Sequence, residues 1–190
     1  GINVFRSDND GVTWLPSVNG APSSGSMDKE WLTVDNFAGA GNGNVYLIVR
    51  DFGAANGVFF FRSTDQGATF GPFGGTLIAS GSPSNVQGAY VVVTPNHDVH
   101  AFWYDSNPVP AQLRTRRSSD QGLTWSAPVT VTTLTSNVTN GNLSLVAGFR
   151  SNSFPQVTVN PVNGALYLAY NDPSAVSGGD RGNILLRQST

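Results

Sequence analysis

Ser63-Thr64-Asp65-Gln66-Gly67-Ala68-Thr69-Phe70 returns almost unchanged as Ser118-Ser119-Asp120-Gln121-Gly122-Leu123-Thr124-Trp125. A looser copy comes earlier, as Ser7-Asp8-Asn9-Asp10-Gly11-Val12-Thr13-Trp14. The three begin 56 and 55 residues apart. A nearly fixed period of this size marks one supersecondary unit repeated through space. Short β-branched or aromatic runs precede the copies, at 2–6, 58–62 and 112–116, and this is strand chemistry. Another apolar run follows, as at 76–79 and 129–132. The motif therefore reads as a hairpin turn between two strands. Glycine at the fifth position supplies a positive φ. Asp or Asn at the third can hydrogen-bond the backbone of its own turn. The closing Trp or Phe can cover the base of the hairpin.

Each interval between copies holds two more strand candidates. The first set is 31–34, 89–93 and 156–159, and the second is 45–49, 99–103 and 165–170. Turns rich in Gly, Asn and Pro separate them, at 39–44, 95–98 and 161–164. No stretch has helical periodicity. The pattern predicts thirteen strands: the last two of one unit, two complete four-stranded units, and the first three of another. The parts are 1–24, 25–82, 83–135 and 136–190 of a single domain. Residues 184–188 read as a further approach strand, with Ser189 and Thr190 opening a fourth copy. The expectation is a partial ring, completed by a missing portion of the chain or by another copy of it.

The repeated octet resembles the Asp box, Ser-x-Asp-x-Gly-x-Thr-Trp, also called the BNR repeat, of bacterial neuraminidases and other β-propellers. Ser63, Asp65, Gly67 and Phe70 match it, as do Ser118, Asp120, Gly122 and Trp125. Ser7, Gly11 and Trp14 match it too, with Asn9 in the Asp position. The resemblance implies an all-β propeller of four-stranded antiparallel blades, with about three blades in this chain. It implies that the boxes are structural and sit on the rim opposite the functional face. It further implies a secreted sialidase-like glycoside hydrolase acting on a carbohydrate or glycoprotein, or a non-catalytic extracellular propeller that binds or assembles.

Composition sets bounds. Net charge is −2 and charged residues make up 12%, so there is no electrostatic footprint for nucleic acid. Lys29 and Glu30 are the sole lysine and glutamate. There is no cysteine, which excludes disulfides and thiol catalysis. No apolar run reaches membrane-spanning length. Sparse charge and long polar turns favour an extracellular setting, whether free, periplasmic or at the cell surface. Asn137-Val138-Thr139 and Asn142-Leu143-Ser144 fit the glycosylation sequon.

Chemistry is sought away from the boxes. Met27-Asp28-Lys29-Glu30-Trp31 leads into the first inner strand. Asp28 and Glu30 could act as an acid/base or nucleophile/base pair, the usual need of glycoside hydrolysis. Lys29 could take a carboxylate and Trp31 a sugar face. The alternative is a surface ion-pair cluster with Trp31 in the core. The second inner strands end on Arg50-Asp51, Tyr104-Asp105 and Asn171-Asp172. Asp51, Asp105 and Asp172 could tie loops, or form a carboxylate ring that supplies an acid or holds a structural cation. Arg50 and Arg150 could clamp an acidic sugar. No organic cofactor and no metal site are called for, because His97 sits in a turn and His100 opens a strand where packing suits it. A sialidase resemblance also implies an arginine triad, an acid/base Asp and a Tyr–Glu pair. No Tyr–Glu pair can be assigned, and Phe149-Arg150-Ser151-Asn152 is a loose echo of the family's Phe-Arg-Ile-Pro segment.

Overall fold

The computed structural model describes residues 1–190 except 24, 84, 108, 136–142, 144–150, 173–181 and 190. Among the described residues the elements are strands throughout. β1 (Asn3–Val4) and β2 (Val18–Asn19) form a two-stranded sheet. β3 (Met27–Val34), β4 (Val45–Asp51), β5 (Gly57–Ser63) and β6 (Gly71–Ser80) form a four-stranded sheet in chain order. β7 (Val86–Val93), β8 (Val99–Asp105), β9 (Gln112–Ser118) and β10 (Val129–Thr133) form a second. β11 (Gln156–Val159), β12 (Leu166–Asp172) and β13 (Asn183–Gln188) form a three-stranded sheet. Every pairing is antiparallel. Among the described residues no helix is long and apolar enough to cross a membrane.

Period-2 alternation explains how the sheets stack face to face as blades. In β4, Leu47 and Val49 pack back towards Ala21 and Ile2, with Phe59 and Phe61 of β5 beside them. Tyr46 and Ile48, on the other face, meet Val91, Val99, Ala101 and Trp103 of the next sheet. Phe102 and Tyr104 of β8 turn the opposite way, onto Val157, Leu168 and Tyr170 of the last sheet. Each complete sheet is thus apolar on both faces, and β4 and most of β8 are buried along their length. The outer face of the last sheet carries Ile184 and Leu186, exposed at 75% and 63%.

The boxes form the turns β1–β2, β5–β6 and β9–β10. The fourth and fifth residues of each are left-handed: Asp10 and Gly11 (φ 54° and 82°), Gln66 and Gly67 (58° and 83°), Gln121 and Gly122 (59° and 86°). Ser63 Oγ accepts the Gly67 N–H at 2.8 Å and donates to Asp65 Oδ1 at 2.6 Å. Asp65 also accepts the Thr69 N–H at 2.9 Å and its hydroxyl at 2.6 Å. Ser118, Asp120, Gly122 and Thr124 repeat this network. Asn9 keeps it with one bond reversed: its amide donates to Thr13 Oγ1 at 2.9 Å, while its oxygen still accepts the Thr13 N–H. Of the closing aromatics, Trp14 is exposed, while Trp125 packs across the blades. Trp125 meets Phe60 of the preceding sheet edge-on, with ring centroids 4.9 Å apart. Ser189 bonds Leu166 in the register that Ser63 keeps with Val45 and Ser118 with Val99.

Neighbouring blades are clasped at this end. Arg6 Nη1 donates to the carbonyl of Gln66 at 3.0 Å, and Arg62 Nη1 to that of Gln121 at 3.1 Å. Asn44 donates to Gln121 Oε1 at 3.0 Å. His97, in the β7–β8 turn, places Nδ1 2.7 Å from the buried Asp35 carboxylate in the β3–β4 turn.

Candidate functional site

The end opposite the boxes differs from expectation in one local feature. Residues 27–31 do not lead into the inner strand; they belong to it, since β3 begins at Met27. Asp28 pairs with Arg50 and Trp31 with Ile48, so β3 carries one extra residue between those rungs. That bulge puts Lys29 in the left-handed region, at φ 54°. β7 repeats the device: Gln87 pairs with Tyr104, Tyr90 with Phe102, and Gly88 has φ 60°. Bulges re-aim side chains at sheet edges, and β3, β7 and β11 are all edge strands.

Re-aimed side chains from three sheets meet in one cleft of about 380 Å³. It is lined by residues 28–31 of β3, 88–90 of β7, and 154–156 at the start of β11. Trp31 stacks on Tyr90 with ring centroids 4.0 Å apart. Trp31 is 40% exposed and Tyr90 9%. The Lys29 ammonium stands 5.6 Å from the centre of the Phe154 ring. Gly88 has no room for a side chain, because a Cβ there would meet Phe154 at 2.4 Å. Asp28, Lys29 and Glu30 are exposed, and among the described residues no ion pair joins them. Asp28 Oδ1 accepts the Lys29 N–H at 2.8 Å, which fixes that carboxylate at the bulge. Trp31 and Tyr90 also line a second hollow of about 280 Å³ running along the inner strands to Phe37 and Val159, so the stacked pair partitions the two.

The other sequence candidates lie elsewhere. Arg50 is buried, bonded to the carbonyls of Asp51 and Gly57 and to Asn56, and its guanidinium sits 4.2 Å from the Phe52 ring centre. Asp51 is buried and accepts the Ser26 and Gly53 N–H groups at 2.8 and 2.7 Å. Asp105 accepts Arg114 Nη1 at 3.0 Å and the Asn107 N–H at 3.0 Å. Asp172 accepts the Thr135 N–H at 2.8 Å. These three aspartates tie loops between strands and sheets. Arg150 and both sequons lie outside the described residues. Burial lowers the pKa of His100 to about 4, in keeping with a packing role. Among the described residues no group of three or more His, Cys, Asp or Glu side chains could hold a metal ion.

Tyr90 and Phe154 were missed from the sequence. Tyr90 had a legible signal, because it holds in β7 the place Trp31 holds in β3. Phe154 had none, since only the stacking of three successive sheets brings it to Lys29.

No protein-family model matches the chain, and no curated protein sequence matches it. Solved structures do. An endo-arabinase from Bacteroides thetaiotaomicron aligns with TM-score 0.57 at 15% identity, over 98% of this chain and 65% of that one. A protein of unknown function from Dyadobacter fermentans gives 0.55 at 20% identity, over 90% and 44%. The intramolecular trans-sialidase of Ruminococcus gnavus gives 0.51 at 17%, over 96% and 38%. The chain therefore spans less than two thirds of the length of each. The fold is a partial β-propeller of antiparallel blades.

Proposed function

We propose that the chain is part of an extracellular, Asp-box type propeller that engages and cleaves carbohydrate in the cleft between Lys29 and Phe154. One observation carries this reading. Two exposed carboxylates, Asp28 and Glu30, flank the exposed Trp31 ring, backed by the buried Tyr90, in a cleft that three sheets build together. The volume falls in the small-molecule range of about 300–1,000 Å³. Aromatic faces suit the apolar face of a sugar ring, and carboxylates accept its hydroxyls. In this reading one carboxylic acid protonates the glycosidic oxygen as its bond to the anomeric carbon breaks. The other carboxylate takes a proton from the water that adds to that carbon. Asp51, Asp105 and Asp172 hold the surrounding loops and are not assigned to the reaction.

The test is turnover of neutral and acidic glycosides by the full natural chain. Asp28→Asn and Glu30→Gln should each lower kcat by about 10²–10⁴-fold, the usual worth of one acid or base group. Turnover equal to the unaltered protein in both variants would defeat the catalytic assignment. Binding of glycans with no turnover at all would favour the non-catalytic propeller instead.

A further inference from the structure

The arginines and carboxylates near the cleft bear on which saccharide it accepts. Recognition of a sugar carboxylate needs cations free to point at it, and bidentate arginine is the best of these. Among the described residues no arginine is in that position. At the cleft end, Arg50 is bonded inside its own blade and Arg114 is paired with Asp105. Arg6 and Arg62 reach the box carbonyls. Arg116 bonds Ser126 and Ile78, Arg117 pairs with Asp98, and Arg187 reaches Thr132. Among the described residues Lys29 is the one cation lining the cleft, and its ammonium faces Phe154. Against it stand Asp28 and Glu30, so among the described residues the lining carries no positive excess even with one of the two protonated as the acid.

We propose that this cleft takes a neutral saccharide and rejects those bearing a carboxylate. The proposal rests on the carbohydrate reading above and adds the substrate class. Whichever of Asp28 and Glu30 is ionised can only accept hydrogen bonds, so it selects hydroxyl donors. An anionic sugar would bring like charge to that carboxylate. A ring whose apolar face rests on the Trp31–Tyr90 stack would present its hydroxyl edge to Asp28 and Glu30.

The experiment is calorimetric titration of the full natural chain with two matched sets. One holds neutral arabino-, xylo-, gluco- and galacto-oligosaccharides; the other holds sialyllactose and oligogalacturonides. At least one neutral sugar should bind, with every acidic one about tenfold or more weaker. Glu30→Gln should weaken the neutral sugar about tenfold, the scale of one lost charged hydrogen bond. The same variant should narrow the gap between the two sets. An acidic sugar bound as tightly as the neutral ones would overturn the substrate class while leaving the carbohydrate reading intact. Failure of every sugar in both sets to bind would overturn both.

Discussion

At one end of the blades, Asp65 and Asp120 spend their carboxylates inside their own turns, on Ser, Thr and backbone partners. At the other end, Asp28 and Glu30 lie exposed beside stacked rings that belong to different sheets. The two ends share a backbone device, left-handed residues that bend the chain sharply: Gln66 with Gly67 in a box, Lys29 in a bulge. In the box the bend closes a hydrogen-bond network on itself. In the bulge it turns polar side chains outward. Acidic residues therefore mean opposite things at the two ends, and partners, not residue type, distinguish them.

The largest expected effect tests whether the box end is structural. Gly122→Ala places a Cβ 2.4 Å from Phe60 at φ 86°. Backbone strain and overpacking together should cost about 2–4 kcal/mol in chemical denaturation. A variant as stable as the parent would mean the box end is not tightly packed. Ser118→Ala should come next, at about 1–3 kcal/mol, because it strands the buried Gly122 N–H. Ser7→Ala, in the exposed first box, should cost less, and equal losses would remove burial as the cause.

At the cleft end stability should respond little while binding responds strongly. Trp31→Ala should cost about 1 kcal/mol of folding stability through its lost stack. Saccharide binding in the same variant should fall below detection. Parallel losses of both would erase the contrast between the ends.

The smallest effect is in the pH profile. His100 has its folded pKa lowered to about 4 by burial, from an unfolded value near 6.5. Its contribution is therefore complete above about pH 6.5 and declines as pH falls to about 4. The hydrogen bond from Ser63, then those from Thr69, lower Asp65 to about 2. Those from Thr124, then Ser118, do the same for Asp120. Their contribution is present above about pH 4 and is lost as pH falls through about 2. His100→Gln should flatten the upper window, and Asp65→Asn with Asp120→Asn the lower one. The first box, with Asn9, already lacks that titration. Denaturation midpoints across pH 2–7 check each window, and unchanged slopes would refute the assignments.

The box end was legible because a turn of this kind writes its demands locally. Glycine at the bend, Asp at the third place and Ser at the first all lie within one octet. Among the described residues, strand number and order followed from the same period. The cleft was only half legible. Asp28, Lys29 and Glu30 stood out by rarity, but Lys29 is not a residue that announces a left-handed bend, so the bulge was hidden. Phe154 reaches Lys29 only through the stacking of whole sheets. Arg50 looked free to meet a ligand, yet the Gly57 carbonyl and the turn at Asn56 offer it partners within its own blade.

The arginine clasps give the array a direction. Arg6 reaches forward to the carbonyl of Gln66, and Arg62 to that of Gln121. Each grips backbone and ignores the side chain it passes, so any box can serve as the socket for any preceding arm. Excision of the 55 residues from Ser63 to Arg117 would leave Arg6 facing the socket at Gln121, a junction of the same chemistry. Whole blades can then be gained or lost by duplication or deletion of a single period without inventing a new interface. Such a scaffold can change its circumference in steps while the seam between neighbours stays constant.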